Sequence, residues 1–293
     1  MPSTRDIRRR IKSVKNTAQI TKAMQMVAAA KMRKAQQAAL AGRPYATLMN
    51  QVLAEVTRGT KDFTDPLLEV RDVRQRCVIV VSTDKGLCGS LNSNLLREAA
   101  RFAKDTTTYI GAGRKAGQFI ARTKRQLVAE FTYKDAPLFS EARAISKFAC
   151  DLFTKGGVDS VDILYTNYIS TLSQRPEVVP FLPVGQIKPA AAGFRAHVPA
   201  EELANAGATE YLFEPSADQV LGALLPHYLN FKVYQILLEA KASEQSARMV
   251  AMKNATDNAN QLIKDLTLEY NKMRQAGITK ELLEIASAQM AVG

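Results

Sequence analysis

The chain has 293 residues, a formal net charge of +12 and 46% hydrophobic residues. That is enough to bury a sizeable core in one large domain or two ordinary ones, and it excludes wholesale disorder. No run of eighteen apolar residues exists, so no span of that kind is expected. Cys77, Cys88 and Cys150 with His197 and His227 make neither a disulfide framework nor a zinc pattern, so no metal is expected and a reducing compartment is the simplest reading.

Residues 1–60 hold twelve Lys and Arg against Asp6 and Glu55, so the basic excess sits at the N-terminus and calls for an anionic partner. The opening MPSTRDIRRRIKSVKNT lacks the apolar stretch of a signal peptide and reads as the start of a mature helix. Thr4 is the expected cap, with Asp6 favourable in the first turn. Spacings of four and three run through Ile7, Ile11, Val14, Ala18, Thr21, Gln25, Ala28, Met32, Ala35 and Ala39, a heptad seam whose middle is small. Ile20, Met24 and Val27 form a second stripe facing elsewhere. Gly42-Arg43-Pro44 should interrupt the helix before Met49, Leu53 and Val56 resume it.

The middle, about 74–210, changes character. Strands are expected at 77–82, 107–110, 126–133, 161–169 and 178–184, with helices from about Asn94, after Gly113, and over 138–155. This alternation argues for a small α/β domain. Residues 185–210, rich in Ala, Gly and Pro, read as a connecting loop.

The final segment, 216–293, carries eight charges of each sign. Its heptads run unbroken through Leu221, Leu224, Tyr228, Phe231, Gln235, Leu238, Ala242, Gln245, Met249, Met252, Thr256, Ala259, Ile263, Leu266, Tyr270 and Met273. Pro226 should kink this helix or delay its start; from there the helix would span roughly 90 Å at about 1.5 Å per residue. The expected fold is therefore α/β. A long antiparallel two-helix coiled coil, from segments 1–60 and 216–293, carries an inserted Rossmann-like α/β domain at 74–210. A rod this long is poorly buried alone and implies a surrounding partner.

Three stretches then carry a family likeness: Asp6-Ile-Arg through Lys34 and Arg43-Pro-Tyr45; Ser82-Thr-Asp84-Lys-Gly86-Leu-Cys88-Gly89-Ser-Leu-Asn92; and Glu244-Gln-Ser-Ala-Arg248 through Asn258 to Arg274-Gln275. Tyr211-Leu-Phe-Glu214-Pro215 is a fourth, weaker match. The chain resembles the gamma subunit of F-type ATP synthases over nearly its whole length. The resemblance implies a single-copy, non-catalytic rotor shaft inside a hexamer of alpha and beta subunits. Such a shaft stands on a ring of c subunits beside epsilon and transmits proton-driven rotation to catalytic sites on beta. It binds no cofactor of its own.

By position, the resemblance assigns alpha and beta contacts to Lys22, Met24, Arg248, Arg274, Gln275, Thr279, Glu281 and Glu284. It assigns c-ring and epsilon contacts to Glu210, Tyr211, Leu212, Phe213 and Glu214. With no convincing presequence, the expected place is peripheral, on the cytoplasmic face of a bacterial inner membrane. Ser90, where the family usually has Gly, and Gly277, where it has Ala or Ser, depart from the pattern.

Two other readings stand beside this one. The basic arm and a pI near 9.6 suit a nucleic-acid-binding coiled coil, although no aromatic platform or DNA-binding motif accompanies them. Gly86-Leu-Cys88-Gly89 and Gly111-Ala-Gly113-Arg-Lys-Ala-Gly117 occupy the places of nucleotide loops, which would suit a nucleotide-binding enzyme. No GxxxxGK[ST] is present, and the dinucleotide spacing is one residue too long, so tight turns are the expected role. Cys88 has no His beside it in the sequence, and no nucleophile or other catalytic residue is expected.

Overall fold

The structure is a computed structural model that describes residues 3–42, 44–45, 48–49, 52–53, 65–184, 214 and 216–292. Its first strand, β1 (Arg76–Val81, sequence RCVIVV), is buried at every position but the first, as a β-branched strand covered on both faces should be. β2 (Thr107–Ala112) is buried throughout, whereas β3 (Gln126–Phe131) alternates exposed and half-buried positions as an edge strand does. With β4 (Ser160–Tyr168) and β5 (Gln174–Leu182) they make one sheet in the order β3-β2-β1-β4-β5. The first four strands are parallel and β5 pairs antiparallel to β4.

The sheet's two faces separate by the strand period of two. Val78, Val80 and Tyr109 pack with Leu95 and Ala99 of α2 (Leu91–Arg101) and with Ala116 and Ile120 of α3 (Arg114–Arg122). Cys77, Ile79, Val81 and Ile110 pack on the other face. Their partners are Ile145, Ala149 and Phe153 of α4 (Phe139–Thr154), and Leu229, Val233 and Leu237 of the last helix, α5 (Ala217–Val292). Each of the larger buried side chains contributes on the order of 1.5–3 kcal/mol.

Two compact units divide the chain: Met1–Ala28 with Met249–Gly293, and Ala29–Arg248. The division falls inside both long helices, α1 (Thr4–Ala41) and α5, so their sheet-proximal parts belong to the sheet's unit.

In the unit of Ala29–Arg248, Gln235 Nε2 donates to Ala39 O at 3.4 Å, the Tyr45 and Phe231 rings lie 4.8 Å apart, and Leu53 clusters with Leu221. Rising numbers on one segment meet falling numbers on the other, so the pairing is antiparallel. Pro226 lies within α5, which starts at Ala217 and not after the proline.

In the unit formed by the chain ends, Ile7, Ala18, Thr21 and Ala28 of α1 are buried, as are Met252, Thr256, Ala259 and Leu266 of α5. Thr21 Oγ1 and Thr256 Oγ1 share a hydrogen bond of 2.7 Å between the two helices. The cap of α1 is Ser3, one residue before the expected Thr4. Its Oγ accepts from Asp6 N at 3.2 Å and donates to Asp6 Oδ2 at 2.7 Å. Those bonds hold the Asp6 carboxyl below its usual range. No described helix is long and apolar enough to cross a membrane.

Candidate functional site

In an open α/β sheet the first place to look for a ligand is the carboxyl edge of the parallel strands. Here that edge holds the Ser82–Asn92 turn after β1 and the Gly113 turn after β2, and the protein's own atoms fill it. The free N–H groups at the start of α3 would cradle a phosphate. Instead Arg114 N donates to Asp84 Oδ1 at 2.9 Å, Lys115 N to Thr83 O at 3.1 Å and Ala116 N to Ser82 Oγ at 2.8 Å. Gly113 sits at φ 102°, and a Cβ there would lie 2.3 Å from Ser82 O. An internal carboxylate occupies the anion position, so the glycines serve turn and packing and the dinucleotide-loop reading does not hold.

Cys88 is buried, and burial is the main influence pushing its thiol up despite nearby Arg248; its Sγ accepts from Asn92 Nδ2 at 3.3 Å. Cys77 is pushed up to about 12 and Cys150 to about 11, again mainly by burial. None of the three has the thiolate character of a nucleophile. Among the described residues no cluster of His, Cys, Asp or Glu could hold a metal ion.

From α5 a chain of charges meets this same edge. Lys241 Nζ lies 2.9 Å from Glu244 Oε2, with the two side chains only 3% and 4% exposed. It also stands 4.7 Å from the Tyr133 ring centre and 3.7 Å from Asp135 Oδ1. Tyr133 OH in turn donates to Ser82 O at 2.9 Å. Asp135 accepts from Lys31 of α1 at 2.6 Å, and that bond is the main cause holding its carboxyl below the usual range. Glu244 Oε1 pairs with Arg248 Nη1 at 2.9 Å, and Arg248 Nη2 donates to Gly86 O at 3.2 Å. The neighbouring Leu87 is left-handed at φ 62°, a strained conformation for a branched side chain.

The residues assigned by resemblance fall into separate groups. Lys22 is exposed and Met24 half-buried on α1, with Ile20 and Val27 exposed beside them. Arg274, Gln275, Thr279, Glu281 and Glu284 are all exposed on α5. Thr279 Oγ1 donates to Gln275 O at 3.0 Å and Glu284 lies 3.6 Å from Lys280. Arg248 stands apart: it belongs to the sheet's unit, and its side chain is 11% exposed and turned inward. Glu214 is exposed, while Glu210, Tyr211, Leu212 and Phe213 lie outside the described residues.

Sequence reasoning missed Lys31, Asp135 and Lys241 as a set. The available signal was a lysine and a glutamate one helical turn apart beside the seam, at 241 and 244.

A Rossmann-like sheet that has filled its own ligand edge, carried with long helices from the two chain ends, fits a stalk-type subunit. The ATP synthase family model matches residues 3–292. Among curated relatives, the ATP synthase gamma chain of Opitutus terrae is 51% identical over 99% of both chains. That of Methylacidiphilum infernorum is 44% identical over the whole of both. A chain of the OSCP/F1/c-ring structure of Euglena gracilis mitochondrial ATP synthase shares the fold, with a TM-score of 0.67 at 20% identity over 99% of this chain and 94% of that one. A chain in the central stalk and c-ring of the Tetrahymena thermophila mitochondrial enzyme matches with a TM-score of 0.59 at 26% identity, over 80% of this chain and 99% of that one. The chain belongs to the ATP synthase family as a gamma chain, a central-stalk subunit of the rotary complex and not its catalyst.

Proposed function

We propose that the chain works as the single-copy rotor shaft between a c-subunit ring and an alpha–beta hexamer, with epsilon alongside. Proton-driven rotation would reach the catalytic beta subunits as an asymmetric surface that favours different beta conformers in turn. The observation that carries this reading is the far end of α5. Every residue from 274 to 289 is exposed, including Ile278, Leu282, Leu283 and Ile285 at 50–65%. A helix with that much apolar surface in water calls for a sleeve. Lys22, Met24, Arg274, Gln275, Thr279, Glu281 and Glu284 supply the alpha and beta contacts, with exposed Arg5, Arg8, Arg9 and Lys12 facing acidic segments of beta. Arg and Gln suit such contacts because each makes several directed hydrogen bonds.

Arg248 makes its alpha and beta contacts only through what its inward bonds leave free. Residues 210–214 meet the ring and epsilon, and the complex sits on the cytoplasmic face of a bacterial inner membrane.

The test is reconstitution. Alpha and beta subunits with this chain should hydrolyse ATP at a rate that depends on it, and purification in mild detergent should recover alpha, beta and epsilon together. A hydrolysis rate indifferent to removing the chain would refute the shaft role. Tight, salt-sensitive DNA binding, or a calorimetric signal with nucleotide, would favour the other two readings.

A further inference from the structure

We propose that Lys31, Asp135, Lys241, Glu244 and Arg248, closed on the Gly86 carbonyl, form a registry lock that fixes the sheet to the helices and keeps rotation coupled. These are positioning residues: none of them needs to touch a partner for the effect.

Three features of the site point this way. First, α5 is buried without interruption from Gln235 to Ser246, including the off-seam Glu239, Lys241, Ser243 and Glu244, which a two-helix seam alone would leave wet. Apolar contacts on such a face tolerate sliding; directed polar ones do not. Second, the polar ties are spread along the helix. Lys232 Nζ donates to Pro180 O at 2.7 Å, Ser243 Oγ to Thr166 O at 2.9 Å, Ser246 Oγ to Thr171 O at 2.8 Å, and Arg248 to Gly86 O. Third, the ties join otherwise independent elements: Lys31 on α1, Asp135 between β3 and α4, and the turn after β1.

Arg248 and Gly86 are 162 positions apart in sequence. A buried ion pair is a poor way to add stability, because desolvation cancels most of the attraction. It is a good way to permit one register and penalise others. A sheet free to shift against the helices would absorb rotation as slack.

The coupling consequence rests on the rotor reading above, whereas the lock itself can be tested apart from it. In the assembled complex in membrane vesicles, the double variant Lys241→Met/Glu244→Gln keeps side-chain volume and removes both charges. It should assemble and hydrolyse ATP, with ATP-driven proton pumping per ATP reduced about threefold or more. Lys241→Arg should retain most of the pumping.

In the full chain, spin labels at Leu40 and Val128, both exposed, report the same event without partners. Their distance distribution should be narrow in the native chain and broaden in the double variant. It should broaden less in Asp135→Asn, which removes one link at a half-exposed position. Unchanged distances in both variants would overturn the lock whether or not the complex assembles. Broadened distances with undiminished pumping would overturn its role in coupling.

Discussion

The two compact units solve the problem of pairing long helices in opposite ways. Where the chain ends pair, contact rests on small and aliphatic side chains. One hydroxyl pair, Thr21 with Thr256, bridges the helices there. Nearly everything off the seam is exposed, including Ile20, Met26 and Val27 at 55–60%. In the unit of Ala29–Arg248 α5 is bonded to the sheet and α1 to the segment after β3 by named donors and acceptors, and α5 is buried on all sides for more than three turns. A surface meant to turn against changing partners keeps its bonds few. A part meant to move as one body fixes them.

That contrast is broken most severely by removing one partner of the buried pair. Glu244→Leu strands Lys241 and Arg248 without their shared carboxylate, at an expected cost of about 3–5 kcal/mol. Urea unfolding of the full chain should show it, and a loss below about 1 kcal/mol would mean that water or Asp135 compensates. Next comes Gly113→Ala. Its Cβ would meet the Ser82 backbone oxygen at 2.3 Å, at φ 102°. Strain and displacement together should cost about 2–4 kcal/mol. A thermal midpoint equal to that of the native chain would show that the turn can re-form elsewhere.

Much of this was legible in advance because periodicity survives folding. Every seam position named on α1 from Ile7 to Ala39 is buried or half-buried, and five strands alternating with helices form one α/β sheet, although their order was not legible in advance. The lock was not legible. Lys241 and Glu244 look like an ordinary exposed helical pair, and only the sheet packed across them makes them interior. Arg248 illustrates the same limit: its bonds to Glu244 and Gly86 become visible only in the fold. The cap also slipped by one residue, because Ser3 and Thr4 are chemically equivalent caps and only the start of the helix decides between them.

In the unit of the chain ends, smaller effects on stability should accompany larger effects on function. Arg274→Ala with Gln275→Ala touches only exposed side chains, so unfolding should shift by no more than about 0.5 kcal/mol. Hydrolysis by the reconstituted hexamer, or its assembly, should nevertheless fall, and unchanged values would remove both residues from the contact surface. Thr21→Val costs about 0.5–1.5 kcal/mol, because Thr256 keeps its bond to Met252 O at 2.8 Å.

A pH-dependent effect sharpens the comparison from the sheet's side. Burial lowers Lys232 from its ordinary 10.5 to about 8, since the surrounding structure disfavours the charged ammonium. Below about pH 8 both folded and unfolded chains carry this proton, and the fold bears the full desolvation cost. Between about 8 and 10.5 the unfolded chain holds the proton more tightly than the folded one, so stability from this group rises with pH. Lys232→Met should flatten that rise and remove the bond to Pro180 O. Denaturation midpoints measured across that window should converge for the two chains toward the alkaline end. If they stay parallel, the ammonium reaches water in the folded protein, and this tie belongs to the sheet's surface and not to its grip on α5.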